Sequence, residues 1–247
     1  MNTLTLLPGK DKQGRAEPFS SIELRRGEIC TIVGNTGSGK SRLIKDVEQL
    51  ADGTGVTSRR VLLDGEMVCA ERRQAVSTSL VAHLGQNMRF VLDTDVGAFI
   101  RLHAACRNRS VSEDEVIAVA NSITPEPIAA GDCLNLLSGG QTRALMIADI
   151  ALVCDSPIVL VDEIENAGID KTRALSLLQS RDKLVLVVTH DPHTALMAPR
   201  RLVMAGGAVK AALERTAEEA ALFNALSLEY ARSQRLQTLL RKGETLA

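Results

Sequence analysis

The sequence predicts an α/β fold built on a parallel β-sheet, and three features support this prediction. A short apolar run at residues 29–33 leads into a glycine-rich loop, and a helical pattern follows at 41–50. Two further apolar runs, at 158–161 and 184–188, flank a helical pattern at 171–180 and form a β-α-β unit. Short, continuously apolar runs are typical of strands that are buried on both faces of a parallel sheet. The 247 residues suffice for one large α/β domain or two modest lobes.

Composition excludes several classes of function. The 45% hydrophobic and 24% charged residues are an ordinary globular balance, and a net charge of −1 gives no strong nucleic-acid signal. With 2% aromatic residues there is no stacking platform for single-stranded nucleic acid. The five cysteines form no C-x-x-C pair, which indicates reduced thiols in a cytoplasmic protein. No apolar run approaches the roughly 18 residues of a membrane helix, so we expect no membrane segment of its own.

The remaining elements follow from local patterns. Residues 61–65 predict a strand and a turn of an antiparallel flap, and residues 94–136 have a helical pattern. Within this helical segment, Ser112 and Glu115 predict a capping box, and Pro125 predicts a helix end.

The C-terminal part predicts a hairpin and a long helix. The hairpin covers residues 201–212, and the helix covers 216–241 with Thr216 and Glu219 as its capping pair. The helix is amphipathic, and its apolar side either covers the protein's own catalytic lobe or contacts a partner.

A phosphate-binding loop of the form G-x-x-x-x-G-K-S follows the first buried strand. Its residues are Gly34, Asn35, Thr36, Gly37, Ser38, Gly39, Lys40 and Ser41. Glycines let the backbone curl so that its N–H groups point at phosphate oxygens, and the next helix adds its positive N-terminal end. Lys40 is expected to reach the β- and γ-phosphates, and Ser41 to offer its hydroxyl to Mg²⁺.

Acidic and basic side chains end the next two strands. Asp162 ends the run at 158–161 and suits a carboxylate that holds Mg²⁺. The side chain of Glu163, one residue later, is expected to point in a different direction from that of Asp162. It suits the general base that activates a water. His190 follows the strand at 184–188, at the end of a parallel strand where ligands of open α/β sheets bind.

A second anion site is predicted at residues 137–141, Leu-Ser-Gly-Gly-Gln. The hydroxyl of Ser138 and the N–H groups of Gly139 and Gly140 precede a helical pattern, and Gln141 follows them. By residue chemistry alone, a second phosphate receptor in one chain is redundant.

These motifs, in this order, resemble the ATP-binding cassette (ABC) ATPases over roughly residues 20–210. The resemblance implies a P-loop NTPase (RecA-like) core with a parallel sheet, a small antiparallel β-subdomain and an inserted α-helical subdomain at about 94–150. It implies an ABC ATPase domain at 1–215, with residues 216–247 as a C-terminal helix and tail.

The resemblance also implies roles for residues. Gln86 matches the Q-loop glutamine, which touches Mg²⁺ and couples the site to a partner, and His190 matches the switch histidine at the γ-phosphate. Residues 137–141 match the signature that closes over ATP held by another subunit, which removes the redundancy. ATP and Mg²⁺ are the implied cofactors, and a homodimer or a pair with a heterologous cassette is the implied assembly.

The sequence departs from the family pattern at three places. Asp149 stands where an arginine is usual, and residues 164–170 replace the usual D-loop motif with one extra residue. Upstream of the phosphate loop, where members stack an aromatic ring on adenine, residues 10–15 contain no ring, and Arg15 is the candidate for a cation–π contact with the base.

The resemblance implies an ATPase that drives a conformational change in a partner. Our leading hypothesis is the ATP-binding subunit of an ABC transporter, bound to a membrane permease at the inner face of the membrane. The alternative is a soluble ABC ATPase that activates or remodels a protein or nucleoprotein assembly. A scaffold without activity is disfavoured, because Lys40, Ser41, Asp162, Glu163 and His190 are all present.

Overall fold

The computed structural model describes residues 1–166 and 168–245. Its strands are β1 (Thr3–Leu7), β2 (Ile22–Arg25), β3 (Ile29–Val33), β4 (Arg60–Leu63), β5 (Glu66–Met67), β6 (Val81–Leu84), β7 (Ile158–Asp162), β8 (Leu184–Val188), β9 (Arg200–Ala205) and β10 (Ala208–Glu214). Its helices are α1 (Lys40–Glu48), α2 (Ala70–Leu80), α3 (Val96–Cys106), α4 (Glu113–Ile123), α5 (Gly139–Leu152), α6 (Lys171–Ser180), α7 (Pro192–Met197) and α8 (Ala217–Arg241). Two 3₁₀ turns cover Leu134–Leu136 and Ile164–Asn166.

The larger sheet has the order β10-β9-β3-β8-β7-β6. All its neighbouring pairs are parallel except β9 and β10, which form the predicted hairpin. Every residue of β8 is buried, as are the first four of β3 and of β7. The predicted α/β fold with a parallel sheet is confirmed. Because β3, β6, β7 and β8 run the same way, the residues that follow them meet at one edge.

The smaller sheet is antiparallel, with the order β2-β1-β4-β5, as the flap pattern predicts. Its buried side chains, such as Leu4 and Leu24, share one apolar core with Leu43 and Val47 of α1. The helix that carries the phosphate loop is therefore held between the two sheets.

The central segment contains α3 and α4, and α5 follows them, so the expected helical subdomain is present as helices packed in one apolar cluster. The capping box predicted at Ser112 and Glu115 was wrong. Ser112 is the residue before α4, but its side chain makes no capping hydrogen bond. Three acidic residues in the first turn, beginning at Glu113, instead favour the positive end of the helix by charge.

The C-terminal helix α8 begins as predicted, with Thr216 and Glu219 bonded to each other's backbone. None of its described side chains is buried, and the helix packs against α7 at the surface. Its inner side stacks Phe223 and Tyr230 on either side of His193 from α7, at ring distances of 5.2 and 4.9 Å. Residues 246–247 of the predicted tail lie outside the described residues.

Candidate nucleotide site

The loop between β3 and α1 needs glycine at three positions. Gly34, Gly37 and Gly39 have φ angles of 150, 76 and 105°, in the left-handed region. A Cβ on Gly34 would lie 2.3 Å from the carbonyl oxygen of Met204, and one on Gly39 would lie 2.9 Å from the Cα of Gly207. The loop is thus packed tightly against the β9–β10 turn, which fixes its curvature.

Lys40 lies folded over this loop. Its Nζ donates to the carbonyl oxygens of Gly34 and Asn35, at 2.7 and 3.2 Å. Ser41 is exposed in the first turn of α1, and the hydroxyl of Ser38 is buried with no hydrogen-bond partner in the described chain. The loop therefore offers a cation and a free hydroxyl at a helix N-terminus, the chemistry that a triphosphate requires.

Lys12 is a neighbour of the loop that sequence reasoning missed. Its Nζ donates to the carbonyl oxygen of Gly37 at 3.0 Å, and its backbone N–H donates to Gly206 at 3.0 Å. Gly207 in turn donates to the carbonyl oxygen of Ser38 at 2.8 Å. The only available signal in the sequence was a lysine in the ring-free segment 10–15.

Arg15, expected near adenine, is tied to its own turn. Its Nε lies 2.8 Å from an oxygen of Asp11. Hydrogen bonds from the backbone of Arg15, and then from its side chain and from Gln13, lower the pKa of Asp11 to about 2 against the effect of burial. No contact in the described chain tests the proposed cation–π role of Arg15 over the adenine base.

The side chains of the two acids at the end of β7 differ in direction and surroundings. Asp162 ends the strand, and burial, followed by the charge of Glu163, raises its pKa, while His83, Lys40 and Arg143 act in the opposite direction. Glu163 has a left-handed φ of 49°, and its N–H donates to Val188 at 3.0 Å. This unusual backbone turns the second carboxylate away from the line of the strand.

Three side chains predicted for the site come together above the sheet edge. Gln86 Nε2 donates to Glu163 Oε2 at 2.6 Å, and His190 Nδ1 lies 3.7 Å from Glu163 Oε1. The buried side chain of Arg143, from α5, donates to the carbonyl oxygens of Gly85 and Gln86 at 3.0 Å each. The helical subdomain therefore holds the Gln86 loop in position.

Glu165 is a second residue that the sequence did not reveal. Its Oε1 accepts hydrogen bonds from Thr189 Oγ1 at 2.9 Å and from the His190 N–H at 3.2 Å. The same oxygen lies 3.3 Å from His190 Nδ1, closer than Glu163 does. Glu165 lies in the segment 164–170, and the departure of this segment from the family pattern was the only feature of the sequence that pointed to it.

The signature forms the N-terminus of α5. Ser138 caps the helix, because its Oγ accepts from Gln141 N at 3.2 Å and its N–H donates to Gln141 Oε1 at 2.9 Å. Gly139 and Gly140 begin the helix and line a cavity of about 610 Å³, together with Gln86 and other residues. Within residues 1–166 and 168–245, no hydrogen bond or ion pair joins 137–141 to the phosphate loop at 34–41.

The altered D-loop lies beside the signature. A Cβ on Gly168 would be 4.0 Å from Gly140 Cα, and Asp170 caps α6 through the N–H groups of Thr172 and Arg173. Ala167 of the expected D-loop lies outside the described residues.

Oxygen ligands for Mg²⁺ are present, although the described chain contains no cluster of three metal-binding His, Cys, Asp or Glu residues. Mg²⁺ in nucleotide sites is held by one or two protein carboxylates together with phosphates and waters, so Asp162 with the hydroxyl of Ser41 fits this ion. Burial and the charge of Glu163 raise the pKa of Asp162, so a cation beside this carboxylate would favour its charged form.

In the described chain, no helix combines the length and the apolar character that crossing a bilayer requires.

Comparisons with known proteins find related sequences. The family model described as ABC transporter matches residues 20–166. An uncharacterized ABC transporter ATP-binding protein of Methanocaldococcus jannaschii is 50% identical over 218 residues, covering 87% of this chain and 84% of that protein. The nickel import ATP-binding protein NikD of Pseudomonas putida is 30% identical, over 69% of this chain and 70% of that protein.

Solved structures share the fold. The chain is similar to cbiO1 from Clostridium perfringens, described as part of an ABC transporter complex, with a TM-score of 0.64 at 19% identity. That similarity covers 97% of this chain and 98% of the other. A dimeric ATP-binding cassette in a post-hydrolysis state with ADP and Pi has a TM-score of 0.62 at 21% identity, over 85% and 98% of the two chains.

Proposed function

This chain belongs to the ABC transporter family of ATP-binding cassettes and is an ABC-type ATPase, and we propose that it hydrolyses Mg·ATP at composite sites shared by two cassettes. One observation carries the proposal: Gln86, Glu163 and His190 gather at the sheet edge where β3 leads into the phosphate loop. Within the described residues, by contrast, the signature at 137–141 does not bond to that loop. The signature completes a site only on a second cassette, and a two-fold pair makes two such sites.

Within each composite site, the residues divide the work. Lys40 exchanges its two carbonyl partners for the β- and γ-phosphates, and the loop N–H groups hold the remaining oxygens. Ser41, Asp162 and the amide oxygen of Gln86 would hold Mg²⁺, and the bound ion would neutralise phosphate charge.

Glu163 orients and deprotonates the attacking water as general base. His190 contacts the γ-phosphate, and Glu165 Oε1 holds the His190 ring at Nδ1, at 3.3 Å. The bond from Gln86 to Glu163 joins the base to the loop at 85–92, so a movement of this loop changes the position of the base.

Light scattering tests the pairing. The Glu163→Gln variant is expected to bind Mg·ATP, hydrolyse it very slowly, and change from monomer to dimer when the nucleotide is added, because ATP buried between subunits stabilises the dimer by linkage. Ser138→Arg places a large cation in the signature and is expected to abolish the dimer while ATP binding to the monomer persists. If Glu163→Gln stays monomeric with saturating Mg·ATP, the homodimer is excluded and a heterologous cassette becomes the candidate.

A membrane permease is the proposed partner, with the cassette peripheral at the inner face of the membrane. An apolar groove of about 350 Å³ supports this, since it is lined by Met88, Phe90, Val91, Leu92 and Met146 among others. Val91 is 91% exposed, although its side chain is apolar. Residues 88–92, which line the groove, follow Gln86 closely in the sequence. A helix of the permease seated in the groove would therefore act on the base through the Gln86–Glu163 bond.

The groove is tested by Val91→Asp, with Val56→Asp as the matched control because Val56 is 87% exposed elsewhere on the surface. We expect tagged parent and Val56→Asp to co-purify with a multi-span protein from membranes, and Val91→Asp to lose it while retaining basal ATPase activity. A soluble partner recovered in its place would favour the alternative, an ABC ATPase that remodels a protein or nucleoprotein assembly.

A further inference from the structure

A carboxylate already occupies the signature. Glu126 lies in the loop that follows α4, and the hydroxyl of Ser138 donates a hydrogen bond to its Oε2. Both side chains are exposed, and Ser138 lines the same cavity as Gly139 and Gly140, which begin α5. An anion of the protein itself thus sits where the proposed function places a phosphate.

The loop that carries Glu126 is held in place. Asn121 bonds to Ile128 in both directions, at 2.7 and 2.9 Å, and Gln141 Nε2 donates to the carbonyl oxygen of Pro127 at 2.9 Å. Proline on both sides of Glu126 restricts the backbone further. The contact with Ser138 is therefore favoured by the shape of the loop and does not depend on a long mobile segment.

The hydrogen-bonding capacity of Ser138 makes the contact competitive. A serine hydroxyl has one proton, which goes to Glu126, and its lone pairs accept from Gln141. The backbone N–H of Ser138 is taken by the side chain of Gln141. A phosphate oxygen that accepts the Ser138 proton must therefore displace Glu126, and the two negative charges repel each other at short range.

We propose that Glu126 sets the ATP affinity of the composite site by competing with the γ-phosphate for the hydroxyl proton of Ser138. The inference rests on the proposed pairing of signature and phosphate loop. Before the two cassettes close, the Ser138 hydroxyl is bonded to Glu126. Closure therefore requires that this hydrogen bond break once in each composite site.

The expected effect is measurable. Breaking an exposed hydrogen bond of this kind corresponds to about a fivefold change in an equilibrium constant, and a two-fold dimer contains two of them. Glu126→Ala should therefore tighten the ATP-dependent dimer by about 25-fold. Glu126→Gln keeps an acceptor for Ser138 and removes the charge, so its effect should be smaller.

The test measures the dimer dissociation constant by analytical ultracentrifugation at saturating Mg·ATP, with every variant in the Glu163→Gln background. Glu115→Gln is the charge-matched control, because Glu115 is an exposed carboxylate in the first turn of α4. We expect Glu126→Ala to tighten the dimer, Glu115→Gln to leave it unchanged, and Ser138→Ala to remove most of the effect of Glu126→Ala.

Three results would overturn the inference. If the parent dimerises and Glu126→Ala matches Glu115→Gln, the competition is absent although the pairing stands. If Glu126→Ala tightens the dimer equally with and without the Ser138 hydroxyl, the hydroxyl is not what Glu126 competes for. If no variant dimerises with Mg·ATP, the homodimer is excluded, and the inference, which is stated for a two-fold pair of this chain, fails with it.

Discussion

At the residue scale, Lys40 shows how the site is prepared before nucleotide arrives. Its two carbonyl partners, Gly34 and Asn35, keep the ammonium over the loop. Lys40→Ala removes a charge-assisted contact to phosphate, so we expect the Kd for Mg·ATP in calorimetry to rise by about tenfold or more. Lys45→Ala, an exposed lysine on the same helix, is the control and should bind as the parent does. Unchanged binding by Lys40→Ala would place the phosphates elsewhere.

Glu163 and Glu165 are expected to differ in kind. Loss of a positioned base lowers the rate by about 10²–10⁴-fold, and we expect this from Glu163→Gln in single-turnover hydrolysis. Glu165 bonds to Thr189 and His190 and acts on the reaction only through them. Glu165→Gln should thus lower turnover far less, with unchanged ATP binding. Equal losses in the two variants would mean that the base is Glu165 or is shared.

At the scale of one element, the docking of α8 should depend on pH. Burial, followed by the charge of Lys171, lowers the pKa of His193, while Asp191 and Asp170 oppose this. A lowered folded-state pKa stabilises the stack above the unfolded pKa of about 6.5, and this stability is lost as the pH falls through the folded value. After correction for the intrinsic exchange rate, hydrogen exchange in Ala217–Arg241 should therefore accelerate as the pH falls below the ordinary histidine pKa of about 6.5.

The control for α8 is His193→Gln, which retains a side chain that can bond to Ser227 but cannot gain a charge in this range. In this variant, exchange of α8 should lose its acid dependence once the intrinsic exchange rate is corrected for pH. The same acid dependence in parent and variant would show that His193 does not control the docking of the helix.

At the scale of the whole molecule, one buried arginine joins three parts of the fold. Arg59 is fully buried and bonds to Glu17 at 2.7 Å, to Asp46 of α1 at 2.9 Å and to the carbonyl oxygen of Gly207 at 2.7 Å. Arg59→Met leaves the two carboxylates without this cation, and breaking a buried ion pair in this way costs about 3–5 kcal/mol. Urea unfolding should show this loss in the free energy of unfolding.

A triple variant distinguishes charge from packing. Glu17→Gln and Asp46→Asn added to Arg59→Met remove the uncompensated charges, so we expect part of the lost stability to return. If the triple variant is no more stable than Arg59→Met, the loss came from packing around the guanidinium.

The sequence by itself determined the parallel sheet, the phosphate loop and the order of the motifs, because these depend on residues close together in the chain. The run from Ile29 to the G-x-x-x-x-G-K-S loop carries its own strand, turn and helix signals, and Thr216 with Glu219 defines the start of α8 locally. The proposed catalytic roles of Asp162, Glu163 and His190 also follow from their positions at strand ends.

Only the tertiary structure decided which distant groups meet. Lys12 donates a hydrogen bond to Gly37, Arg59 donates one to Gly207, and Glu126 accepts one from the Ser138 hydroxyl. Each of these contacts joins segments that no periodicity or spacing connects, because a side-chain hydrogen bond depends on atomic positions set by the packing of several elements. The failed capping pair at Ser112 shows the same limit, since a suitable residue in a suitable place still forms its bond only if the local geometry permits it.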